Sequence, residues 1–153
     1  MNWNLFIDDE RNVEDVTWAP SCMQEKYRNE DWVVCRNHFE VFEKVYDFGM
    51  PMFISFDHDL GEGVWTGHDI VKELVDIDMN TIDCRNKFPE YFDYYVHSKN
   101  PIGKANIEGY INSYFKAKAR AAEVPFDQTR SDELYNAAME DDGTGDITVG
   151  KMK

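Results

Sequence analysis

The pattern of apolar positions divides the chain into short runs of two kinds. Leu5, Phe6 and Ile7 are consecutive and apolar within residues 3–8, the mark of a strand covered on both faces. Met52–Phe56 has the same character, and Trp32–Cys35 and Phe92–Val96 supply two further strand candidates. Between the runs the period becomes helical. Residues 12–30 are polar and weakly patterned, with a short helix expected around Ser21–Arg28. Asn37 then opens a helix with Glu40 completing a capping-box pattern, and Phe39, Phe42, Val45 and Tyr46 are expected on one face. Gly49 and Pro51 end it. Thr66, with Asp69 at the third position, opens a helix whose apolar stripe is Ile70, Val71, Leu74 and Val75. The last stripe, Ile107, Tyr110, Ile111, Tyr114 and Phe115, is the most regular, with Asn106 as the expected cap and a run to Pro125. Beyond it the signal thins to a short helix over Ser131–Met139, a turn over Asp141–Gly145 and a small strand over Asp146–Val149.

Strand and helix in alternation imply parallel strands joined by crossovers. The expected fold is an α/β three-layer sandwich around a parallel sheet of about four strands, occupying residues 1–117. Residues 118–153 form a C-terminal extension, partly helical, able to pack on that domain. Ligands of such sheets bind at the carboxyl ends of the strands, where strand order reverses. Three of the four strands end in polar clusters: Asp8-Asp9-Glu10, Asp57-His58-Asp59 and His97-Ser98. The fold therefore brings these clusters together.

Charge narrows the partners. The net charge is −14, of which −11 belongs to residues 1–117 and −3 to the rest, so the acidity is not that of a tail. Duplex DNA is an improbable ligand, because phosphate backbones are gripped by Lys and Arg. Such a surface suits solubility, metal ions or a basic protein partner. No apolar run reaches the length of a membrane span, and the acidic N-terminal stretch is unlike a secretory signal. Cys22, Cys35 and Cys84 lack metal-ligand spacing and read as reduced thiols, so a cytoplasmic location is expected, the host cytoplasm if the chain is phage-encoded.

Asp8, Asp9 and an aspartate of the central cluster, Asp57 or Asp59, would make an oxygen-rich pocket suited to Mg²⁺ or Mn²⁺, ions that commonly bring a phosphate with them. Adjacent acids at a strand end are also often merely solvated. His58 and His97 end neighbouring strands and could serve as general base and general acid on a phosphodiester, although a lone histidine is more often a packed residue. Ser98 could bond a phosphate oxygen or cap the next turn. Arg11 and Arg36 follow strand ends and could neutralise the acids or clamp a phosphate. The turn Asn100-Pro101-Ile102-Gly103, just before Asn106, could cradle an anion on its backbone N–H groups. Trp65 could stack on a base, cover the pocket or simply pack.

LFIDDER at 5–11, ISFDHDLG at 54–61, Thr66-Gly67 and VHSKNPIGKANI at 96–107 together resemble the cyclic-phosphate processing receiver domains, a divergent branch of the response-regulator receiver fold. The resemblance covers residues 5 to about 115. It implies a receiver-like sheet, a divalent-metal pocket from Asp8, Asp9 and Asp57 or Asp59, and His58, His97 and Ser98 beside the metal. It also implies action on a small nucleotide or an RNA end bearing a cyclic phosphate. From the residues themselves, Arg11, Arg36, Asn100, Gly103 and Asn106 are the expected substrate contacts. Signalling receivers need a lysine after a fifth strand, and no such strand is legible here. The competing reading is a non-catalytic acidic binding or inhibitor protein, one that sequesters a ligand or binds a host factor, as a phage counter-defence protein would.

Overall fold

The computed structural model describes residues 2–123; the helix, turn and strand expected between Ser131 and Val149 lie outside the described residues. Four strands, β1 (Asn4–Ile7), β2 (Val33–Cys35), β3 (Phe53–Phe56) and β4 (Asp93–Val96), form one parallel sheet in the order β2-β1-β3-β4. The helices are α1 (Ser21–Asn29), α2 (His38–Phe48), α3 (Gly67–Asn80) and α4 (Pro101–Glu123). The expected α/β sandwich is borne out. The chain falls into two compact units, Met1–Asn112 and Ser113–Lys153, and the whole sheet belongs to the first.

The register explains why β1 and β3 read as continuous apolar runs. Phe6 lies opposite Ser55, and Ile7 opposite Phe56, in the middle of the sheet. Both strands are covered on both faces, so Leu5, Phe6, Ile7, Ile54 and Phe56 are all fully buried. On one face Phe6 and Phe53 pack with Val16, Ala19 and the α1 residues Met23 and Tyr27. Removing these side chains from water is the main force holding α1 to the sheet.

Local signals set most helix starts. Thr66 Oγ1 accepts a hydrogen bond from Asp69 N–H, and the Asp69 carboxylate accepts one from Thr66 N–H, a complete capping box. Asn37 accepts from Glu40 N–H, but Glu40 Oε1 takes Arg36 N–H, one residue earlier than the expected reciprocal bond. Gly49 ends α2 at φ 83°, a left-handed position where a side chain would be strained.

Two helix readings need correction. The buried face of α2 is Val41 and Val45, while Phe39 and Tyr46 point to solvent. The helix α4 starts at Pro101, so Asn106 is an exposed residue in its second turn and not its cap. Asn100 caps it instead, its Oδ1 accepting from Gly103 N–H at 2.9 Å. Proline at the first helical position is favourable because the amide it lacks would have had no partner there.

A candidate metal centre at the carboxyl ends of the strands

The order β2-β1-β3-β4 reverses direction between β1 and β3, and both strands end at that point in an aspartate. Asp8 follows β1 and is fully buried; Asp57 follows β3 and is nearly so. Their backbones are held in step by Asp8 N–H on the Cys35 carbonyl and Asp57 N–H on the Ile7 carbonyl. From β4 the fully buried His97 joins them, tied by its N–H to the Phe56 carbonyl. Among the described residues, Asp8, Asp57 and His97 bring ligand atoms within 4.8 Å of one another.

The two carboxylates differ in their surroundings. Asp8 Oδ1 accepts the backbone N–H groups of Glu10 and Arg11 at 2.9 and 2.8 Å. Its Oδ2 accepts from His97 Nε2 at 3.0 Å and from Arg11 Nη1 at 3.4 Å. Burial alone would push its pKa up, but the bonds from His97 and from the Arg11 and Glu10 amides outweigh burial and hold it below the usual carboxylate range. Asp57 takes one short bond, from His58 N–H at 2.8 Å, and faces Arg11 Nη1 at 3.9 Å. Burial, and next the negative charge of Asp8, push its pKa up. One carboxylate is saturated and the other underserved, and a cation beside Asp57 would offset the repulsion it meets from Asp8. Two adjacent buried carboxylates, one of them lining an open cleft, are a donor set that fits a hard divalent ion.

The position of Asp57 depends on Gly67. A Cβ there would stand 2.0 Å from the Asp57 carbonyl oxygen, so only glycine lets the first turn of α3 lean on the strand end. Gly67 N–H also bonds the His58 carbonyl at 2.8 Å. Thr66-Gly67 thus sets both the start of the helix and the direction of the chain after Asp57.

Outside the buried carboxylates lies an open cleft of about 400 Å³, lined by Asp57, Asp9, Glu10, Asp59, Arg11, Ser98, Lys99 and Asn100, with Gly61 at its edge. Asp9 is half-buried there and Asp59 exposed. Asp59 spends Oδ1 on His58 Nδ1 at 3.0 Å and Oδ2 on Asn100 Nδ2 at 3.2 Å, so of the two central aspartates it is Asp57 that stands in the buried group. Ser98 Oγ accepts Asn100 N–H at 3.1 Å, which leaves its O–H as a donor. Trp18 sits at one side, donating Nε1–H to the His97 carbonyl at 2.9 Å. The Arg11 guanidinium and the Lys99 ammonium lie 5.0 and 4.2 Å from its ring centroid.

Several expected site residues are placed elsewhere. His58 is not among the residues lining the cleft; its ring lies against Gly103, where an added Cβ would come within 2.3 Å of it. The bend explains this: β3 ends at Phe56 and the chain turns at His58, whose carbonyl takes Gly67 N–H while its ring is directed to Gly103. A paired-histidine arrangement across a substrate is therefore not what the fold provides. Arg36 is spent on the backbone, donating to the carbonyls of Asp8 and Arg11 and to Asn12 Oδ1, and it does not reach the cleft. Gly103 N–H already serves Asn100, so that amide is spent on the helix cap, and Asn106 lies further along α4. Trp65 packs, stacked on His38 at 4.4 Å with the rings 8° from parallel.

Sequence reasoning missed Ser55, Tyr27, Trp18 and Lys99. Ser55 carried a signal, being the single polar residue inside an apolar strand. Tyr27, Trp18 and Lys99 carried none, since their contacts span long sequence separations.

A parallel sheet of this order, with two aspartates at its switch point and no fifth strand among the described residues, defines a divergent receiver-type domain. The chain belongs to the cyclic-phosphate processing receiver domain family, whose family model matches residues 3–113. No curated protein and no solved structure matches it.

Proposed function

We propose that the cleft is the site of a metal-dependent phosphoesterase acting on a cyclic phosphate, carried by a small nucleotide or by the 2′,3′-cyclic end of an RNA. The observation that carries this reading is the pairing of saturated Asp8 with underserved Asp57 at the switch point, open to a cleft that also presents Arg11, Ser98 and Lys99. Asp8 and Asp57 would hold Mg²⁺ or Mn²⁺, with Asp9 available through water. The ion, when bound, would offset charge on the phosphate oxygens and favour ionisation of water. Arg11 sits on the same carboxylate oxygens and would turn to the phosphate as the ion takes them. Ser98 O–H and Lys99 would bond non-bridging oxygens, and Asn100 holds both Asp59 and the start of α4 in place. The family's association with cyclic-phosphate processing supports the substrate class.

The test is turnover of a panel of 2′,3′- and 3′,5′-cyclic nucleotides and cyclic-ended RNA with Mg²⁺ or Mn²⁺. Hydrolysis that disappears in Asp57→Asn supports the reading; no turnover of any member with either metal overturns it.

A second reading, binding without turnover, is favoured by one observation. Among the described residues no histidine lines the cleft, so a general acid of the expected type is missing from it. Under this reading the domain sequesters a cyclic phosphate, or its acidic surface occupies a basic host protein. Calorimetric binding of a cyclic nucleotide without product would identify the former, and a stoichiometric complex with a basic protein the latter.

A further inference from the structure

Behind Asp8 runs a chain of four buried polar groups. Tyr27 Oη lies 2.6 Å from Ser55 Oγ, Ser55 Oγ 2.7 Å from His97 Nδ1, and His97 Nε2 3.0 Å from Asp8 Oδ2. The groups come from α1, β3 and the residues just after β1 and β4, and none is more than 4% exposed. The imidazole is clamped in plane as well, stacked on Phe6 at 4.6 Å with the rings 2° from parallel.

Only one arrangement of protons satisfies every member. Asp8 is an acceptor, so His97 Nε2 must carry the hydrogen that faces it. In the neutral ring Nδ1 is then the acceptor, Ser55 must donate to it, and Ser55 in turn accepts from Tyr27 O–H. Reversing the chain puts the Nε2 lone pair against the Asp8 carboxylate and leaves the Tyr27 proton without an acceptor in a buried slot, which is costly.

We propose that Tyr27 and Ser55 are positioning residues that lock His97 in its Nε2–H tautomer, so that His97 serves the metal centre as a donor to Asp8 and not as a ligand of the ion. His97 lies close enough to ligate, but the nitrogen that would do so carries a proton held there by Ser55 at the far side of the ring. The role of His97 is then to aim one lone pair of Asp8 Oδ2 and leave the remainder to the ion. The part concerning the ion rests on the metal site proposed above; the tautomer does not.

The experiment is long-range ¹H–¹⁵N correlation of the imidazole rings, with His97 assigned by the loss of its signals in H97Q, before and after addition of Mg²⁺. The expected spectrum has a protonated Nε2 and a bare Nδ1 in both states. A protonated Nδ1 in the metal-free protein overturns the proposal, as does a proton that moves to Nδ1 when Mg²⁺ is added, the sign of ligation through Nε2. Ser55→Ala should lose the single tautomer and weaken Mg²⁺ binding about 10-fold, the size typical of a partner behind a ligand. Ser55→Thr, which keeps the hydroxyl, should restore both; a variant that folds but shows no such rescue counts against the assignment. If Mg²⁺ does not bind at all, the functional reading fails while the metal-free spectrum still decides the tautomer.

Discussion

The ends of β1 and β3 carry the same side chain at the same depth and treat it in opposite ways. Asp8 receives two backbone amides, a histidine and an arginine, and its charge is held in place by them. Asp57 is set by the packing of α3 behind it, receives one short bond, and bears the repulsion of Asp8. The β1 end is built to stabilise a negative charge by itself. The β3 end holds a charge that its surroundings disfavour, through burial and the nearby charge of Asp8.

The strongest way to break this comparison is to move Asp57 without touching its carboxylate. Gly67→Ala forces a methyl group against the Asp57 backbone and should destabilise the domain by about 3 kcal/mol, a severe case of overpacking. Urea unfolding measures it, and the same variant should bind Mg²⁺ poorly. Next in size, Asp57→Asn should lower Mg²⁺ affinity by more than about 100-fold, beyond what loss of a supporting residue gives. The same change should raise the urea midpoint of the metal-free protein, because it removes the repelled charge. Asp8→Asn should do the reverse to stability, lowering it by about 2 kcal/mol, since an amide cannot accept on both sides from four donors. Opposite signs from one substitution at two strand ends would sharpen the contrast; equal signs would erase it.

Acid titration of the metal-free protein should divide the two in the same way. The folded-state pKa of Asp8 is depressed, so its stabilisation is present above the ordinary value of 3.8 and is lost as pH falls below it. That of Asp57 is raised, so its favourable contribution is present below 3.8 and is lost as pH rises through the folded value. Urea midpoints followed from neutral to acid pH should therefore fall less steeply in Asp8→Asn than in the native chain. In Asp57→Asn the gain over the native chain should shrink as the pH drops. The smallest effect is expected from His58→Ala, about 1 kcal/mol in stability through lost contact with Gly103 and Asp59, with Mg²⁺ affinity within about twofold of native. A large loss of metal binding there would return His58 to the site.

Much of this molecule is readable from local pattern. The four strands, the Thr66 capping box, the Gly49 stop and the carboxyl-end clusters all follow from periods and short-range chemistry that a few residues decide. The start of α4 is not decided locally, because Asn100 and Asn106 are equally good caps in isolation, and the choice falls to Asn100 through its bonds to Gly103 and Asp59. The outward face of α2 was misread for a related reason. Phe39 and Tyr46 make a plausible stripe with Val45, and only the sheet behind the helix selects Val41 and Val45. Arg36 looked like Arg11 in sequence, yet one is consumed by backbone carbonyls and the other reaches both carboxylates.

By itself the sequence determined the layered α/β architecture and the family, because alternating apolar periods and the DDE, DHD and HS clusters are properties of consecutive residues. Only the tertiary structure decided which members of those clusters face one another. Asp57 and His58 part company because the chain leaves β3 at Phe56 and bends at His58. Asp8, Ser55, Tyr27 and His97 meet because four elements bring them together across 19 to 89 positions of chain. Distances of that kind are set by how the helices pack on the sheet, and no short window of sequence contains them.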